Sequence, residues 1–175
     1  MANLYYREDL ADDALVAGAL VEVIGEEARH AVRVSRLRVG ERILVGDGRG
    51  ALGEGVVEHA ARDRFAVRLE TVRSDPEPET RLVLVQALAK GDRDERAIEQ
   101  ATEFGVDAVA PWQAARSVSR WDGAGGAEKV AKGLAKWARI AREASKQSLR
   151  ARIPEVRDLA TLDGLRALAA TDGVE

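Results

Sequence analysis

The stretch LVLVQALAKGDRDERAIEQATEFGVDAVAP, residues 82–111, decides the fold class. An apolar run is followed by a charged loop, a helical pattern and a second apolar run. Continuous apolar runs of this length are typical of buried parallel strands, so residues 82–88 are predicted to form one. We therefore predict an α/β unit with a parallel sheet. Ligands bind at the carboxyl ends of such strands, which makes the charged loop 90–96 a candidate ligand rim.

The helix that begins at Arg93 carries its own signals. Asp92 precedes it and Glu95 follows three residues later, which predicts a capping box in which each side chain accepts from the backbone N–H of the other residue. Glu95, Glu99 and Glu103 recur every four residues along one edge. Like charges at this spacing repel, so either nearby cations such as Arg96 offset the repulsion or the edge faces a cationic partner elsewhere in the fold.

The residues before this unit predict a different architecture. Five strand-length, β-rich segments alternate with turn signals, among them Asp47-Gly48, and one short helix is predicted within 25–40. Several short strands with one helix indicate a compact β-barrel domain over residues 1–73. The segment 74–80 holds two prolines and three acids and is predicted to be a linker to the second domain, 81–175.

A long amphipathic helix is predicted over about residues 127–150. Its apolar stripe is Val130, Leu134, Trp137, Ala141, Ala144 and Ser148. The opposite face carries cations: Lys129, Lys132, Lys136, Arg139, Lys146 and Arg150. Residues 112–157 hold 11 Lys+Arg and 4 Asp+Glu inside an acidic chain. This block indicates either a site for a polyanion or a solvated helix face.

Composition excludes several classes of site. The chain has no cysteine, and its two histidines, His30 and His59, lie far apart, so neither a disulfide nor a metal site is expected. The N-terminus lacks the layout of a signal peptide, and no apolar run approaches the roughly 20 residues that span a bilayer. We expect a soluble, cytoplasmic protein without membrane partners.

Several motifs together resemble the RsmE family of 16S ribosomal RNA methyltransferases. They are Lys90 after the first strand, Glu103 to Val106 at the helix end, Pro111, Arg116-Ser117, Trp137, and Gln147 to Pro154 as Gln-x-x-Arg-x-Arg-x-Pro. The segment HAVRVSRLRVGERILVGDGRG also matches, with Val34-Ser35-Arg36 where the family has Val-Leu-Arg. The resemblance covers nearly the whole chain.

The resemblance implies a PUA-like RNA-binding β-barrel domain followed by the first part of a SPOUT methyltransferase domain. It further implies S-adenosylmethionine as cofactor, a trefoil knot, a homodimer formed through the SPOUT domain, and methylation of uridine N3 in the decoding region of 16S rRNA on the 30S subunit. The family's Gly-Pro-Glu-Gly-Gly and Leu-Gly-x-x-Ile-Leu-Arg segments do not occur here. The cofactor-binding residues are therefore unknown, the 175-residue chain alone is expected to be inactive, and a fragment is favoured over a shortened relative.

Methylation of uracil N3 requires loss of its proton and donors for the charge that develops on O2 and O4. The candidate catalytic residues are Arg116, Arg152 and Glu103, with Glu103 expected to pair with an arginine. His30 is expected to be partly buried rather than catalytic. The candidate RNA-binding residues are Arg29, His30, Arg33, Arg36, Lys90, Lys129, Lys132, Lys136, Arg139, Lys146, Gln147 and Arg150, of which Arg29, Arg33 and Arg36 are expected to share a helical face. The alternatives are a non-enzymatic RNA-binding protein and a SPOUT methyltransferase with another RNA target.

Overall fold

A computed structural model of the chain describes residues 3–121 and 125–170. The chain forms two compact units. The N-terminal unit comprises Met1–Pro78 together with Ser145–Ile153, and the C-terminal unit comprises Glu79–Ala144 together with Pro154–Glu175. Sequence patterning assigns residues 145–153 to the second domain, and their position in the first unit is the main departure from that division.

The N-terminal unit is a mixed five-stranded half-barrel with one helix. Strand β1 pairs with β3 in parallel, the other neighbours are antiparallel, and the strand order is β1-β3-β4-β5-β2. The elements are β1 (Asn3–Tyr6), β2 (Leu20–Ile24), α1 (Gly25–Arg33), β3 (Arg42–Gly46), β4 (Ala51–Ala61) and β5 (Arg64–Ser74).

The turn between β3 and β4 forms as the sequence predicts. The Asp47 carboxylate accepts hydrogen bonds from the backbone N–H groups of Arg49 at 2.8 Å and Ala51 at 3.0 Å. Gly48 adopts φ +74°, a left-handed conformation that suits glycine. Behind the turn, side chains such as Val45, Val57 and Phe65 fill the core and are fully buried.

Residues Ser145–Ile153, which we call the strap, pack on the half-barrel. Ala151 lies in one apolar cluster with Leu4, Tyr6 and Leu52. The strap is also bound through its backbone: the Gly50 N–H donates to the Ala151 carbonyl at 3.1 Å, and the Ile153 N–H to the Gly48 carbonyl at 2.9 Å. The Tyr6 hydroxyl donates to the Arg150 carbonyl at 2.5 Å. These contacts make the strap part of the N-terminal unit.

The C-terminal unit is built on a parallel sheet with the order β6-β7-β8. The α/β class predicted for this half is confirmed. The elements are β6 (Val83–Ala87), α2 (Arg93–Glu103), β7 (Ala108–Trp112), most of α3 (Gly126–Gln147), β8 (Glu155–Val156) and α4 (Leu162–Ala169).

Strand β6 is less buried than its sequence suggests. Its five residues are all half-buried, whereas Ala108, Val109 and Ala110 of β7 are buried. The reason is position, because β6 lies at an edge of the described sheet and β7 at its centre. The strand predicted over 82–88 and its parallel pairing are confirmed, whereas its burial is only partial.

Helix α3 follows the predicted stripe. Trp137, Ala141 and Ala144 are buried, and Val130 and Leu134 are half-buried. The helix ends at Gln147, three residues earlier than predicted, and Leu149 follows in a left-handed conformation with φ +54°. No helix in the described ranges is long and apolar enough to cross a membrane.

Candidate nucleic-acid interface

An open cleft of about 320 Å³ lies in the C-terminal unit, where the loop after β6 meets the first half of α3. The β6 side contributes Gly91, Asp94 and Glu95, and a half-buried indole, Trp121, forms part of the wall. The α3 side contributes three lysines, which are Lys129, Lys132 and Lys136. Of the charged rim predicted beyond the first strand, Asp94 and Glu95 line this cavity.

The charged loop does not form the predicted capping box. The Asp92 side chain makes no capping hydrogen bond and instead pairs with Arg96 at 3.1 Å. The buried Asp94 carboxylate takes up the free backbone donors, accepting from the N–H groups of Ala89 at 3.2 Å and Glu95 at 2.9 Å. Asp94 thereby fixes the turn between β6 and α2, a structural role.

The cleft lysines differ in their ion pairs. Lys136 forms an ion pair and hydrogen bond with Glu95 across the cleft, so the acidic edge of α2 faces a cationic partner elsewhere in the fold. Lys132 pairs with Glu128 at 2.7 Å on the exposed surface of α3. Lys129 is exposed and has no ion-pair partner within residues 3–121 and 125–170. Exposed pairs are weak, so Lys129 and Lys132 remain available to an anionic ligand.

Two groups, Gln113 and Trp137, hold Trp121 in position. Its backbone N–H donates to the Gln113 side-chain oxygen at 2.7 Å, and its ring meets Trp137 edge-on with centroids 5.6 Å apart. The ring also crosses helix α3 at Gly133, where an added Cβ atom would lie 2.5 Å from the ring. Sequence reasoning missed both Trp121 and Gly133. An isolated glycine inside an otherwise regular helical pattern was the available signal.

The other predicted residues of this unit lie outside the cleft lining. Arg116 is exposed in the turn after β7, where the Ser117 N–H donates to the Ala114 carbonyl. Lys90 and Arg139 are exposed as well. Glu103 is exposed and forms no ion pair with a described arginine, contrary to the role predicted for it.

The basic segment of the N-terminal unit is only partly helical. Arg29, His30 and Arg33 are exposed on α1, whereas Arg36 lies beyond the helix with φ +55°. The prediction that Arg36 shares a helical face with Arg29 and Arg33 is therefore wrong, and so is the expected partial burial of His30. All four side chains nevertheless face solvent.

Two strap cations are committed to protein contacts. The Lys146 ammonium lies 3.1 Å from the Glu27 carboxylate, and the two side chains are only 9% and 13% exposed. The Arg152 guanidinium donates to the Asp75 carbonyl at 2.7 Å. The RNA-facing roles of Lys146 and Arg152 stay predictions, and each cation would have to leave a protein partner in order to contact RNA. Of the other strap residues, Arg150 is half-buried and Gln147 is exposed.

Family models match both units of the chain. A model described as RNA methyltransferase domain matches residues 76–172, and one described as RNA methyltransferase PUA domain matches residues 23–70. The first match covers more than half of the chain.

Curated relatives carry the same name in several bacteria. The ribosomal RNA small subunit methyltransferase E of Mycobacterium bovis is 46% identical over 156 residues, which are 89% of this chain and 56% of the relative. That of Bacillus subtilis is 30% identical over 155 residues, 88% of this chain and 59% of the relative. The chain thus spans little more than half the length of these relatives.

Solved structures show the same fold. A ribosomal RNA small subunit methyltransferase E from Neisseria gonorrhoeae, bound to S-adenosyl methionine, aligns with a TM-score of 0.80 at 25% identity, covering 99% of this chain and 67% of that one. A Legionella pneumophila structure with bound cofactor SAM aligns with a TM-score of 0.79 at 25% identity, covering 98% and 67%. The resemblance predicted from the sequence motifs is confirmed, and the chain belongs to the RNA methyltransferase family represented by the RsmE proteins.

Proposed function

We propose that this chain is the RNA-docking part of an S-adenosylmethionine-dependent methyltransferase that modifies uridine N3 in the decoding region of 16S rRNA. The observation that carries the proposal is the match of both family models to one chain whose two units each expose cations. The relatives' names support small-subunit rRNA as the substrate class. The base and the atom rest on the motif resemblance.

The exposed cations give the proposal a physical basis. Five exposed cations would neutralise phosphates in this proposal. They are Arg29, Arg33 and Arg36 in the N-terminal unit, and Lys129 and Lys132 in the C-terminal unit. Such contacts are independent of sequence and release counterions, so they supply affinity and position rather than base identity. A base inside a duplex is inaccessible to a methyltransferase, so the target uridine must be unpaired or flipped out.

Of the two predicted catalytic arginines, Arg116 is the exposed one, and it forms no ion pair within the described ranges. A guanidinium beside uracil would donate to O2 or O4 and stabilise the negative charge that develops as N3 loses its proton. Arg152 already donates to a backbone carbonyl, and Glu103 has no arginine beside it. We therefore propose Arg116 as the RNA-facing group of this set.

The lysine-lined cleft does not favour S-adenosylmethionine. The cofactor carries a net positive charge, because its sulfonium and ammonium groups outnumber its carboxylate, and the ammonium groups of Lys129, Lys132 and Lys136 would repel that charge. We therefore place no cofactor there and propose that the 175-residue chain alone does not transfer methyl groups. A homodimer formed through a knotted SPOUT domain and a cytoplasmic location belong to the same proposal, on the strength of the resemblance.

A second candidate function is RNA binding without catalysis. The exposed cations of the two units favour such a role, because phosphate contacts require no cofactor. Titration with S-adenosylmethionine tests this point directly. We expect no saturable binding to the 175-residue chain, and clear saturation would contradict the assignment.

Transfer of labelled methyl groups to 30S subunits tests the enzymatic proposal in the protein at the full length of its relatives. We expect labelled 16S rRNA and a loss of about tenfold in rate for Arg116→Ala, the equivalent of one charge-assisted hydrogen bond. The matched control is Arg166→Ala, which removes an exposed arginine that pairs with Asp163 on α4. Absence of methylation by the full-length protein would contradict the function, and an unchanged rate for Arg116→Ala would contradict the role of Arg116.

A further inference from the structure

We infer that the cleft formed by Trp121, Lys129 and Lys132 binds one nucleotide of single-stranded RNA, with its base against the indole and its phosphate on the lysines. This inference rests on the proposed RNA-binding function and specifies where in the C-terminal unit a nucleotide is held. The volume of about 320 Å³ is at the small end of the range of about 300–1,000 Å³ that small-ligand sites occupy.

Packing contacts hold the Trp121 ring in place at the wall of the cleft. Gly133 removes the side chain that would collide with Trp121, so the indole can lie across α3. Trp137, which is 1% exposed, contacts the Trp121 ring edge-on and supports it. A half-buried tryptophan fixed in this way presents a flat, rigid surface to the cleft. Bases stack on such surfaces with little dependence on their identity.

The charges of the cleft favour an anion. Glu95 is engaged by Lys136, and the Asp94 carboxylate accepts two backbone N–H groups. The two acids of the lining are thus occupied by partners within the unit. Lys129 and Lys132 are exposed and lie three residues apart, on the same side of α3, so a bound phosphate would approach both. A cation would meet repulsion from the same pair.

The Trp121 indole and the lysines of α3 together indicate the class of ligand. An acidic peptide would satisfy the lysines but leave the indole face unused, while a neutral aromatic molecule would leave the lysines unused. A nucleotide uses both, since it joins a planar base to an anionic phosphate. The Ser119 hydroxyl in the lining can either donate or accept a hydrogen bond, so it does not select one base.

Titration of the 175-residue chain with a short oligouridylate, followed by tryptophan fluorescence and by anisotropy of a labelled oligonucleotide, tests the inference. We expect quenching of the wild-type fluorescence, loss of that quenching in Trp121→Phe, and an affinity about tenfold lower in Trp121→Ala. The double variant Lys129→Ala/Lys132→Ala is expected to bind several-fold more weakly at low salt. Arg166→Ala is the control and should bind like the wild type.

The outcomes distinguish a failure of the proposed nucleotide site from a failure of the proposed RNA-binding function. If the chain binds oligouridylate and Trp121→Phe still shows the full quenching, or the lysine double variant binds unchanged, the cleft is not the nucleotide site although RNA binding stands. Competition by polyglutamate at equal charge concentration would also overturn the inference, because the cleft would then read charge alone. If no form of the chain binds RNA, both the inference and the proposed RNA-binding function fail. Trp121→Phe retains an aromatic ring, so it reports even if Trp121→Ala fails to fold.

Discussion

The two ends of helix α3 carry the same residue type in opposite roles. Near the start of the helix, Lys129 and Lys132 are exposed beside a cleft. At its last turn, Lys146 is 9% exposed, paired with Glu27, and lies 6.0 Å from the centre of the Tyr5 ring. Helical periodicity places all three on the outward side of an amphipathic helix. Only the surroundings separate a cation available to RNA from one committed to the fold.

The comparison shows that a stripe of cations along a helix predicts RNA binding only where the helix packs on its apolar side alone and its cationic side stays uncovered. This condition fails in the strap, because the strap packs on the half-barrel of the N-terminal unit, where Lys146 pairs with Glu27 of α1. A long charged side chain at such a place contributes stability rather than affinity. The following variants test this separation, beginning with the largest expected effect.

Replacement of Lys146 by methionine should cause the largest loss of stability. The change keeps the length of the side chain but removes the ammonium from a carboxylate that is only 13% exposed. Breaking an ion pair this deeply buried costs about 3 kcal/mol, which urea unfolding at pH 7 would measure.

The matched control is Lys132→Met, which breaks the exposed pair with Glu128 and should cost less than about 0.5 kcal/mol. The double variant Glu27→Gln/Lys146→Met should recover part of the loss, because no uncompensated carboxylate remains. Equal effects of Lys146→Met and Lys132→Met would remove the distinction between the two ends of α3.

Gly50→Ala should destabilise the N-terminal unit by about 2 kcal/mol, because Gly50 has φ +124° and lies where the strap joins the half-barrel. An added Cβ atom would lie 2.6 Å from the Arg152 guanidinium and 2.8 Å from the Asp75 carbonyl oxygen. Gly18→Ala is the control, with φ +86° but open space around the added atom, so it should lose only about 1 kcal/mol. Thermal unfolding of both variants makes the comparison, and a smaller loss for Gly50→Ala would argue against a strap packed this tightly.

Gly133→Ala tests the cleft in the same manner. Alanine in place of glycine inside a helix normally stabilises by up to about 1 kcal/mol, and Gly164→Ala in α4 is the milder comparison, because its added Cβ atom would lie 3.3 Å from the flexible Thr161 hydroxyl. At Gly133 the added methyl group meets the Trp121 ring, so the gain should be cancelled and the near-ultraviolet circular dichroism of the Trp121–Trp137 pair should change. A full gain in stability with an unchanged tryptophan spectrum would show that Trp121 does not lie on Gly133.

The smallest effect is expected from an exposed pair on the half-barrel. A hydrogen bond from Arg68 holds the pKa of the Glu58 carboxyl below its ordinary value. A carboxyl with a lowered pKa in the folded state contributes stability above its unfolded pKa of about 4.3, and that contribution is lost as the pH falls. Glu58→Gln should therefore match the wild type at acidic pH and be slightly less stable at pH 7, as measured by urea unfolding. A difference that persists unchanged to low pH would contradict this cause.

Much of the fold follows from local pattern. The stripe through Trp137 and Ala141 and the apolar runs around Leu84 and Val109 predict α3 and the parallel strands, because burial follows hydrophobic period. The turn at Asp47-Gly48 is equally local. The motifs also identify the family before any coordinates are considered.

The contacts that the sequence does not predict are mostly those between segments that lie far apart along the chain. The sequence does not show that Asp94 rather than Asp92 accepts hydrogen bonds from the backbone of the loop, since both acids lie at the start of the same helix. It does not show that Lys146 meets Glu27, which lies more than a hundred residues away. Trp121 was missed for the same reason, because its role depends on Gly133 in another element.

The salt dependence of single-stranded RNA affinity tests the division of labour along α3 most directly. We predict that log K falls linearly with log salt concentration for the wild-type chain. In Lys129→Ala/Lys132→Ala, the slope should become shallower by about 0.7 for each phosphate that is no longer neutralised by a lysine. The slope of the folded Lys146→Met variant should equal that of the wild type. An unchanged slope in the double variant, or a shallower slope in Lys146→Met, would contradict the account.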